Sequence, residues 1–293
     1  MKACVMLTCF NRKDKTLNCI KSLISGNKCR MDFIVVDDGS NDGTADALEN
    51  MAKELYEKDS EHASIEVIRA TGGLYYSGGM RKAMEAAKNH IGADYFVLIN
   101  DDVEFDNGVL DELNASGVGG SSARVASPGQ SETPVAPMVI VGAMRDESGI
   151  CSYGGIRYVS GIHYRQVGPD EADRSCDTFN ANFVAVPAEV FTKVPIIDPV
   201  YIHSLGDFDY GLQIKKAGYR IEVTDHFVGT CNNNPSTGTW NDRTLSRGQR
   251  IKRKESIKGA PAKQWFHFLN KNFGPGYALL YSVTPYIRIL LGK

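Results

Sequence analysis

Asn100-Asp101-Asp102 follows the apolar run Tyr95-Phe96-Val97-Leu98-Ile99 without a break. Ionised carboxylates are costly to bury unpaired, and two adjacent ones repel. A hard divalent cation resolves both problems, because Mg2+ or Mn2+ takes oxygen ligands and commonly bridges a few carboxylates to phosphates. Asn and Asp are also turn formers, so a plain turn is the alternative. A second acidic pair, Asp37-Asp38, closes the run Phe33-Ile34-Val35-Val36 and leads into Gly39-Ser40. One of its carboxylates can accept a hydrogen bond from the N–H of a nucleobase. Alternatively, the segment is a turn in which Ser40, Asp42 or Thr44 caps a helix.

These residues need elements to hold them. Ala3–Leu7, Phe33–Val36, Ser64–Ile68 and Tyr95–Ile99 read as strands. Between them, Leu17, Ile20, Leu23 and Ile24, then Ala47, Leu48, Met51 and Leu55, then Met80, Ala83, Met84 and Ala87 recur at helical spacing. Repeated β-α units imply a parallel sheet covered by helices, with ligands outside the carboxyl ends of its strands. Thr8 and Asn11 stand at a third such end. Asn114–Pro137 is poor in large apolar residues and reads as a loop. Strands follow at Met138–Val141, in a hairpin within Ile150–Val167, at Ala181–Val186 and at Arg220–Val223. Pro187 starts a short helix, and Tyr210, Ile214 and Ala217 share the face of another that Gly218 ends.

In order and spacing, Leu7-Thr8-Cys9-Phe10-Asn11-Arg12, Val35-Val36-Asp37-Asp38-Gly39-Ser40 and Leu98-Ile99-Asn100-Asp101-Asp102 together resemble glycosyltransferase family 2, over about residues 2–230. The resemblance implies a GT-A fold: an α/β sandwich around a mostly parallel central sheet. It implies a nucleotide-sugar donor, with Thr8, Phe10, Asn11 and Arg12 at the donor and the ring of Phe10 near the base. Asp38 would hydrogen-bond the base. Asp102 would hold a Mn2+ or Mg2+ ion on the donor diphosphate, with Asp101 nearer the ribose or sugar; Asn100 replaces the first acid of the family's D-x-D motif.

The same resemblance makes Asp207, in Asp207-Phe208-Asp209-Tyr210, the general base toward an acceptor hydroxyl; Gly206 stands where the family usually has another acid. A base is needed because a hydroxyl is a poor nucleophile until its proton is taken. Acids also favour the first turn of a helix for electrostatic reasons alone. Asp209 supports the site, and Asn180 and Asn182 face the sugar and acceptor or cap local backbone. His226 reaches the metal or diphosphate, or is structural. Gly73 and Arg81, in the glycine-rich segment before the fourth strand, are donor contacts, or that segment is a plain helix start.

The net charge of −2 over 293 residues argues for no particular partner. The seven cysteines include no C-x-x-C pair, which points to reduced, packed thiols and away from a zinc site. The start is too short in apolar residues for a signal peptide, and no apolar run reaches the roughly 18–20 residues of a span. A cytoplasmic protein is expected, peripheral at the inner face of the membrane. Between Asn241 and Lys263, eight Lys and Arg face only Asp242 and Glu255, and an aromatic, apolar stretch follows from Trp265 to Leu291. That region is a solvated surface, a membrane contact or a partner face such as a homodimer; no nucleic-acid motif accompanies it.

The expected organisation is a nucleotide-sugar half at residues 1–105, an acceptor half at 106–235 and a basic, helical C-terminal extension at 236–293. The expected reaction is inverting transfer from a UDP- or dTDP-sugar to a hydroxyl of a glycan or lipid-linked glycan, in bacterial surface polysaccharide synthesis. A nucleotidyltransferase of related fold would want glycine within Thr8–Lys13, which has none. A non-catalytic sugar-binding subunit would not need Asp38, Asp102 and Asp207.

Overall fold

Alternate side chains of the first strand, β1 (Lys2–Cys9), enter two different cores: Cys4 and Met6 one, Ala3, Val5 and Leu7 the other. The protein is seen in a computed structural model that describes residues 1–57, 62–115 and 137–293. The elements following β1 are α1 (Lys13–Gly26), β2 (Arg30–Asp37), α2 (Thr44–Glu57), β3 (Ala63–Arg69), α3 (Tyr75–Ala87) and β4 (Tyr95–Ile99). Cys19, Ile20 and Leu23 of α1 and Leu48 of α2 fill the core on one face of the sheet. Met80, Ala83, Met84 and Ala87 of α3 fill the other. Strands covered on both faces read as continuous apolar runs, which is why they stood out in the sequence.

The order β3-β2-β1-β4 is parallel throughout. Their carboxyl ends therefore lie along one edge, with Thr8 opposite Val36 and Cys9 opposite Asp37. The second half is less uniform than a mostly parallel sheet. After β5 (Glu104–Phe105), α4 (Val109–Ala115), β6 (Met138–Arg145) and β7 (Cys151–Tyr153) comes a small three-stranded sheet of β8 (Gly155–Ser160), β9 (His163–Val167) and β10 (Thr178–Phe179). Then β11 (Phe183–Pro187) returns antiparallel between β4 and β6. Its first residue pairs with the last of β4, Phe183 with Ile99, so Asn182 arrives beside Asn100.

The short helix α5 (Ala188–Lys193) and α6 (Gly206–Lys216) precede β12 (Arg220–Thr230), which pairs parallel with β6. The expected last strand stops at Val223, but β12 continues past it through register shifts between Val223 and Gly229. At that irregularity the Thr224 hydroxyl accepts the Ala143 N–H at 3.0 Å, supplying the bond that the displaced backbone does not. Most of the loop expected at Asn114–Pro137 lies outside the described residues.

The C-terminal helices are α7 (Arg247–Lys254), α8 (Ala262–Phe273), α9 (Pro275–Tyr281) and α10 (Thr284–Leu290). Phe268 and Leu269 of α8 and Ala278 of α9 join Tyr201 and Leu212 in a third core. Two cations of the basic run are buried instead of solvated. Arg250 donates to the carbonyls of Trp240 at 2.8 Å and Lys293 at 2.6 Å, and Lys254 donates to that of Ala260. No helix among the described residues is long and apolar enough to cross a membrane.

Candidate active site

A cavity of about 770 Å³ opens at the carboxyl edge of the parallel strands. One end is built by residues at or after the carboxyl ends of β1, β2, β3 and β4. Thr8, Phe10, Arg12, Asp38, Gly73, Asn100, Asp101 and Asp102 all line it. Phe10 is 54% exposed, leaving a ring face free at that end. Asp38 is buried, and its two oxygens accept the amides of Leu74 at 2.9 Å and Tyr75 at 2.8 Å. That fixes the glycine-rich segment over the strand end and satisfies two amides at the start of α3.

Gly79 explains why the segment needs glycine. A Cβ there would lie 2.2 Å from Thr8 Oγ1, so the bare backbone lets α3 close onto the end of β1. Asn11 sits behind the wall. Its backbone has φ 51°, its amide donates to Ser40 Oγ at 2.9 Å, and its side-chain oxygen accepts the Asn41 amide at 2.8 Å. Asn11 thus ties the β1 loop to the β2 loop.

The acidic strand end carries a cationic partner from this chain. Arg12 donates to Asp101 Oδ1 at 3.0 Å and to Asp102 Oδ2 at 2.8 Å. Burial works against the Arg12 charge, but the two carboxylates more than offset it and raise its pKa. At Asp101 burial wins: its carboxyl is pushed up to about 6, Arg12 opposing and Asp102 adding to the rise. Asn100 Nδ2 donates to Asn182 Oδ1 at 2.9 Å, aligning both amides along the floor.

Two oxygen-donor carboxylates suit a hard cation that keeps most of its shell as water and substrate phosphate. Among the described residues no three His, Cys, Asp or Glu cluster to hold a metal by themselves. The pair therefore fits an ion that the substrate helps to bind.

Asp207 lines the middle of the cavity from the first turn of α6. Its oxygens accept the amides of Phe208 at 2.9 Å and Ala181 at 3.4 Å. Burial pushes its carboxyl up to about 6. Gly206, the departure from the family's usual acid, has a packing cause: a Cβ would lie 2.5 Å from Ser77 Oγ. The residue before it, Leu205, has φ 73°. Such backbone is strained for a residue with a side chain and tends to collect at functional sites; Tyr75, with φ 53°, is a second case on the same cavity.

Asn180 and Asn182 line the cavity as well, but four expected site residues besides Asn11 take other positions or partners. Arg81 is not in the lining, and neither are Asp209 and His226. Arg81 lies on α3 with Glu85 4.0 Å away. Asp209 is fully buried on the far side of α6, bonded to Lys271 at 2.7 Å, Asn272 at 2.8 Å and Gln213 at 2.8 Å. His226 sits on the irregular stretch of β12, with Asp225 2.7 Å from Nδ1 and Glu112 2.9 Å from Nε2. The longer β12 carries it past the cavity rim. Asp38 is the fourth: it is at the cavity, yet each oxygen already holds a backbone amide.

Several lining residues had no role in the sequence reading. Tyr76 and His203 face the cavity, and Tyr76 Oη and His203 Nδ1 are buried without a hydrogen-bond partner among the described residues. Burial lowers His203 to about 4, so its ring is neutral at pH 7. The far end is aromatic: Tyr158, Tyr164 and Phe208, with Trp265, Phe268 and Phe273 from α8. Lys258, just before α8, lines it too. The C-terminal region is thus a wall of the cavity.

The family model described as Glycosyl transferase family 2 matches residues 4–116. Over that segment the chain is similar to a glycosyl transferase family 2 domain. It is accordingly a transferase enzyme, and the matched segment holds the whole acidic strand edge of the cavity. Solved structures extend the likeness over nearly the whole glycosyltransferase. A mannosyltransferase, PcManGT from Pyrobaculum calidifontis in complex with GDP-Man and Mn2+, aligns with a TM-score of 0.56 at 15% identity, covering 99% of this chain and 73% of that one. S. aureus TarS 1-349 in complex with UDP aligns with a TM-score of 0.51 at 13% identity, covering 99% and 81%. GalNAc-T7 with UDP, GalNAc and Mn2+ aligns with a TM-score of 0.51 at 11% identity, covering 98% and 57%. At such identities these likenesses show the GT-A fold. No curated protein matches the sequence.

Proposed function

We propose that this enzyme transfers a sugar, with inversion, from a UDP- or dTDP-sugar to a hydroxyl of a glycan or lipid-linked glycan. One observation carries the reading. A carboxylate pair at a strand end and a separate carboxyl, Asp207, with its pKa raised to about 6, share one cavity. Two acidic centres in different surroundings suit two tasks.

The nucleotide would lie at the Thr8–Phe10 end, its base against the exposed Phe10 ring. Asp38 would use the lone pairs that the Leu74 and Tyr75 amides leave free. Asp102, with Asp101, would hold Mn2+ or Mg2+, which when bound offsets the charge of the donor diphosphate. Arg12 would turn from the carboxylates toward the diphosphate. Asn180 and Asn182 would meet the sugar hydroxyls.

Asp207 takes the proton of the acceptor hydroxyl. As it does, the acceptor oxygen bonds to the anomeric carbon from the face opposite the leaving group. The bond from that carbon to the phosphate oxygen breaks, and its electron pair leaves with the nucleoside diphosphate. At pH 7 a carboxyl titrating near 6 is mostly ionised and more basic than an ordinary aspartate, as a general base should be. His226, Arg81 and Asp209 have no part in this mechanism. A cytoplasmic enzyme of bacterial surface polysaccharide synthesis, working at the membrane face, fits the reading.

The test is a screen of nucleoside diphosphates with Mn2+, read as thermal shift and then as diphosphate release from the matching sugar donors. GDP belongs in it beside UDP and dTDP. Failure of every nucleoside diphosphate to stabilise the protein would overturn the proposal.

A further inference from the structure

Transfer chemistry does not explain the outer face of the last two helices. From Gly274 to Ile287 the chain has no charged side chain. Leu279 is 70% exposed, Leu280 61% and Leu291 64%, and Val283, Ile287 and Leu290 are also exposed. The short helices α9 and α10 are consecutive and meet at their junction, so these exposed apolar side chains crowd one short stretch of the chain. Crowded apolar surface of this kind marks an interaction site.

Cations border the face. Helix α7, which lies against α10, exposes Arg247, Lys252 and Arg253. The two opposing acids are engaged: Asp242 accepts the amides of Gly238 and Thr244, and Glu255 accepts the Tyr286 hydroxyl. The face also connects with the cavity. Tyr158 and Phe273, both in the lining, have ring centroids 5.0 Å apart. Phe273 is 6.1 Å from Tyr277, and Tyr277 stacks on Tyr281 at 5.6 Å. Tyr277 is itself exposed. An aromatic track thus runs from the acceptor end of the cavity to the apolar face, with Lys258 in the cavity wall.

We infer that the α9–α10 face seats on an anionic lipid surface, and that the track leads a lipid-borne acceptor from that surface toward Asp207. The second clause rests on the transfer reading; the first does not. Apolar side chains enter the headgroup boundary while cations at the rim meet anionic headgroups. A second copy is the weaker occupant. A two-fold interface sets the same patch against itself, and here that would bring one cationic rim onto another.

The experiment is co-sedimentation with phosphatidylcholine vesicles, with and without phosphatidylglycerol. Wild type should bind the anionic vesicles, more weakly as salt rises. The double variant Leu280→Glu/Ile287→Glu should bind at least tenfold less, with its thermal shift by nucleoside diphosphate unchanged. Arg247→Glu/Arg253→Glu should lose the preference for phosphatidylglycerol. No vesicle binding by wild type, or a dimer in light scattering that Leu280→Glu/Ile287→Glu dissociates, overturns the seat.

For the track, vesicles made from a total membrane lipid extract receive a radiolabelled donor. Label should enter the organic phase with wild type, and label only in water-soluble product overturns that clause. Vesicle binding without stabilisation by any nucleoside diphosphate would sink the transfer reading while leaving the lipid seat. The converse pattern would sink the seat and leave transfer standing.

Discussion

The Arg12 guanidinium lies 2.8 Å from the Asp102 carboxylate and reaches Asp101 from the same nitrogen at 3.0 Å. The protein thus neutralises its acidic strand end with its own side chain, and an incoming cation must compete with that side chain. Replacing Arg12 by Met should tighten Mn2+ binding in the absence of donor. The Arg12 side chain is 45% exposed, so solvent screens the competition to about 0.5–1 kcal/mol, a ~2–5-fold gain in affinity. Nucleoside diphosphate affinity should fall in the same variant, because a diphosphate partner is lost. Calorimetric titration with Mn2+ alone, then with UDP, checks both. Weaker or unchanged Mn2+ binding would show that the ion does not meet Arg12.

Asp207→Asn keeps the shape of the residue and one acceptor oxygen for the Phe208 amide, gives up acceptance of the long 3.4 Å bond from Ala181, and removes the proton acceptor. Loss of a general base typically costs ~10²–10⁴ in rate. We expect kcat to fall by that order while the donor KM changes little. Asp102→Ala should weaken donor binding as well as turnover. Steady-state kinetics of both variants separate the two roles; full activity in both would exclude this mechanism.

The raised Asp207 carboxyl sets a direction in pH. Its ionised form is the active one, so kcat/KM should rise with pH through about 6 and level off near neutrality. An ordinary aspartate would place that limb roughly two units lower. The folded pKa lies above the unfolded one, so the folded state favours the protonated form. Asp207 and Asp101 each therefore disfavour the metal-free fold as pH climbs from about 4 to about 6. Thermal melts without metal across that range should show these two terms as a loss with rising pH, reduced by Mn2+.

The strand edge was legible because β1, β2 and β4 are buried on both faces and must read as apolar runs that end in polar residues. Asp38, Asp101 and Asp102 were thereby placed at one edge by local pattern and order, whereas Asp207, on the first turn of α6, was picked out only by the family resemblance. Long-range packing was not legible in that way. His226 lies within a register shift in β12 that no local signal marks. Trp265, Phe268 and Phe273 line the cavity only because α8 folds back over α6, and their spacing says nothing of that partner. Asp209 is different. Residues two apart on a helix point to different faces, so Asp207 and Asp209 of α6 could not both face one cavity. That signal was present in the sequence.

Gly206 and Gly79 permit close approaches rather than donor contacts. In Gly79→Ala the new methyl would meet Thr8 Oγ1 at 2.2 Å, and in Gly206→Ala it would meet Ser77 Oγ at 2.5 Å. Each should destabilise the fold by about 1–3 kcal/mol, as overpacking does. Gly79→Ala should also shift Thr8 and weaken nucleoside diphosphate binding. Denaturant unfolding with binding measured in parallel tests this, and a fully stable Gly79→Ala would show that α3 can slide away from β1.

Asp209 joins the C-terminal helices to the catalytic half. Its buried carboxylate accepts from Lys271 and Asn272 of α8, while Lys271 also reaches Asp198 at 3.0 Å. Asp209→Asn leaves Lys271 with one acid and takes a charge from a site built for it. Breaking a buried pair costs ~3–5 kcal/mol, and partial exposure of Lys271 together with its Asp198 contact places the expected loss near the lower bound. The loosened α8 carries the aromatic wall, so the variant should lose acceptor affinity before donor affinity. Donor-induced thermal shift should be retained on a lower baseline, with the acceptor KM raised. A variant that loses kcat alone, with stability and acceptor KM intact, would instead place Asp209 in the chemistry.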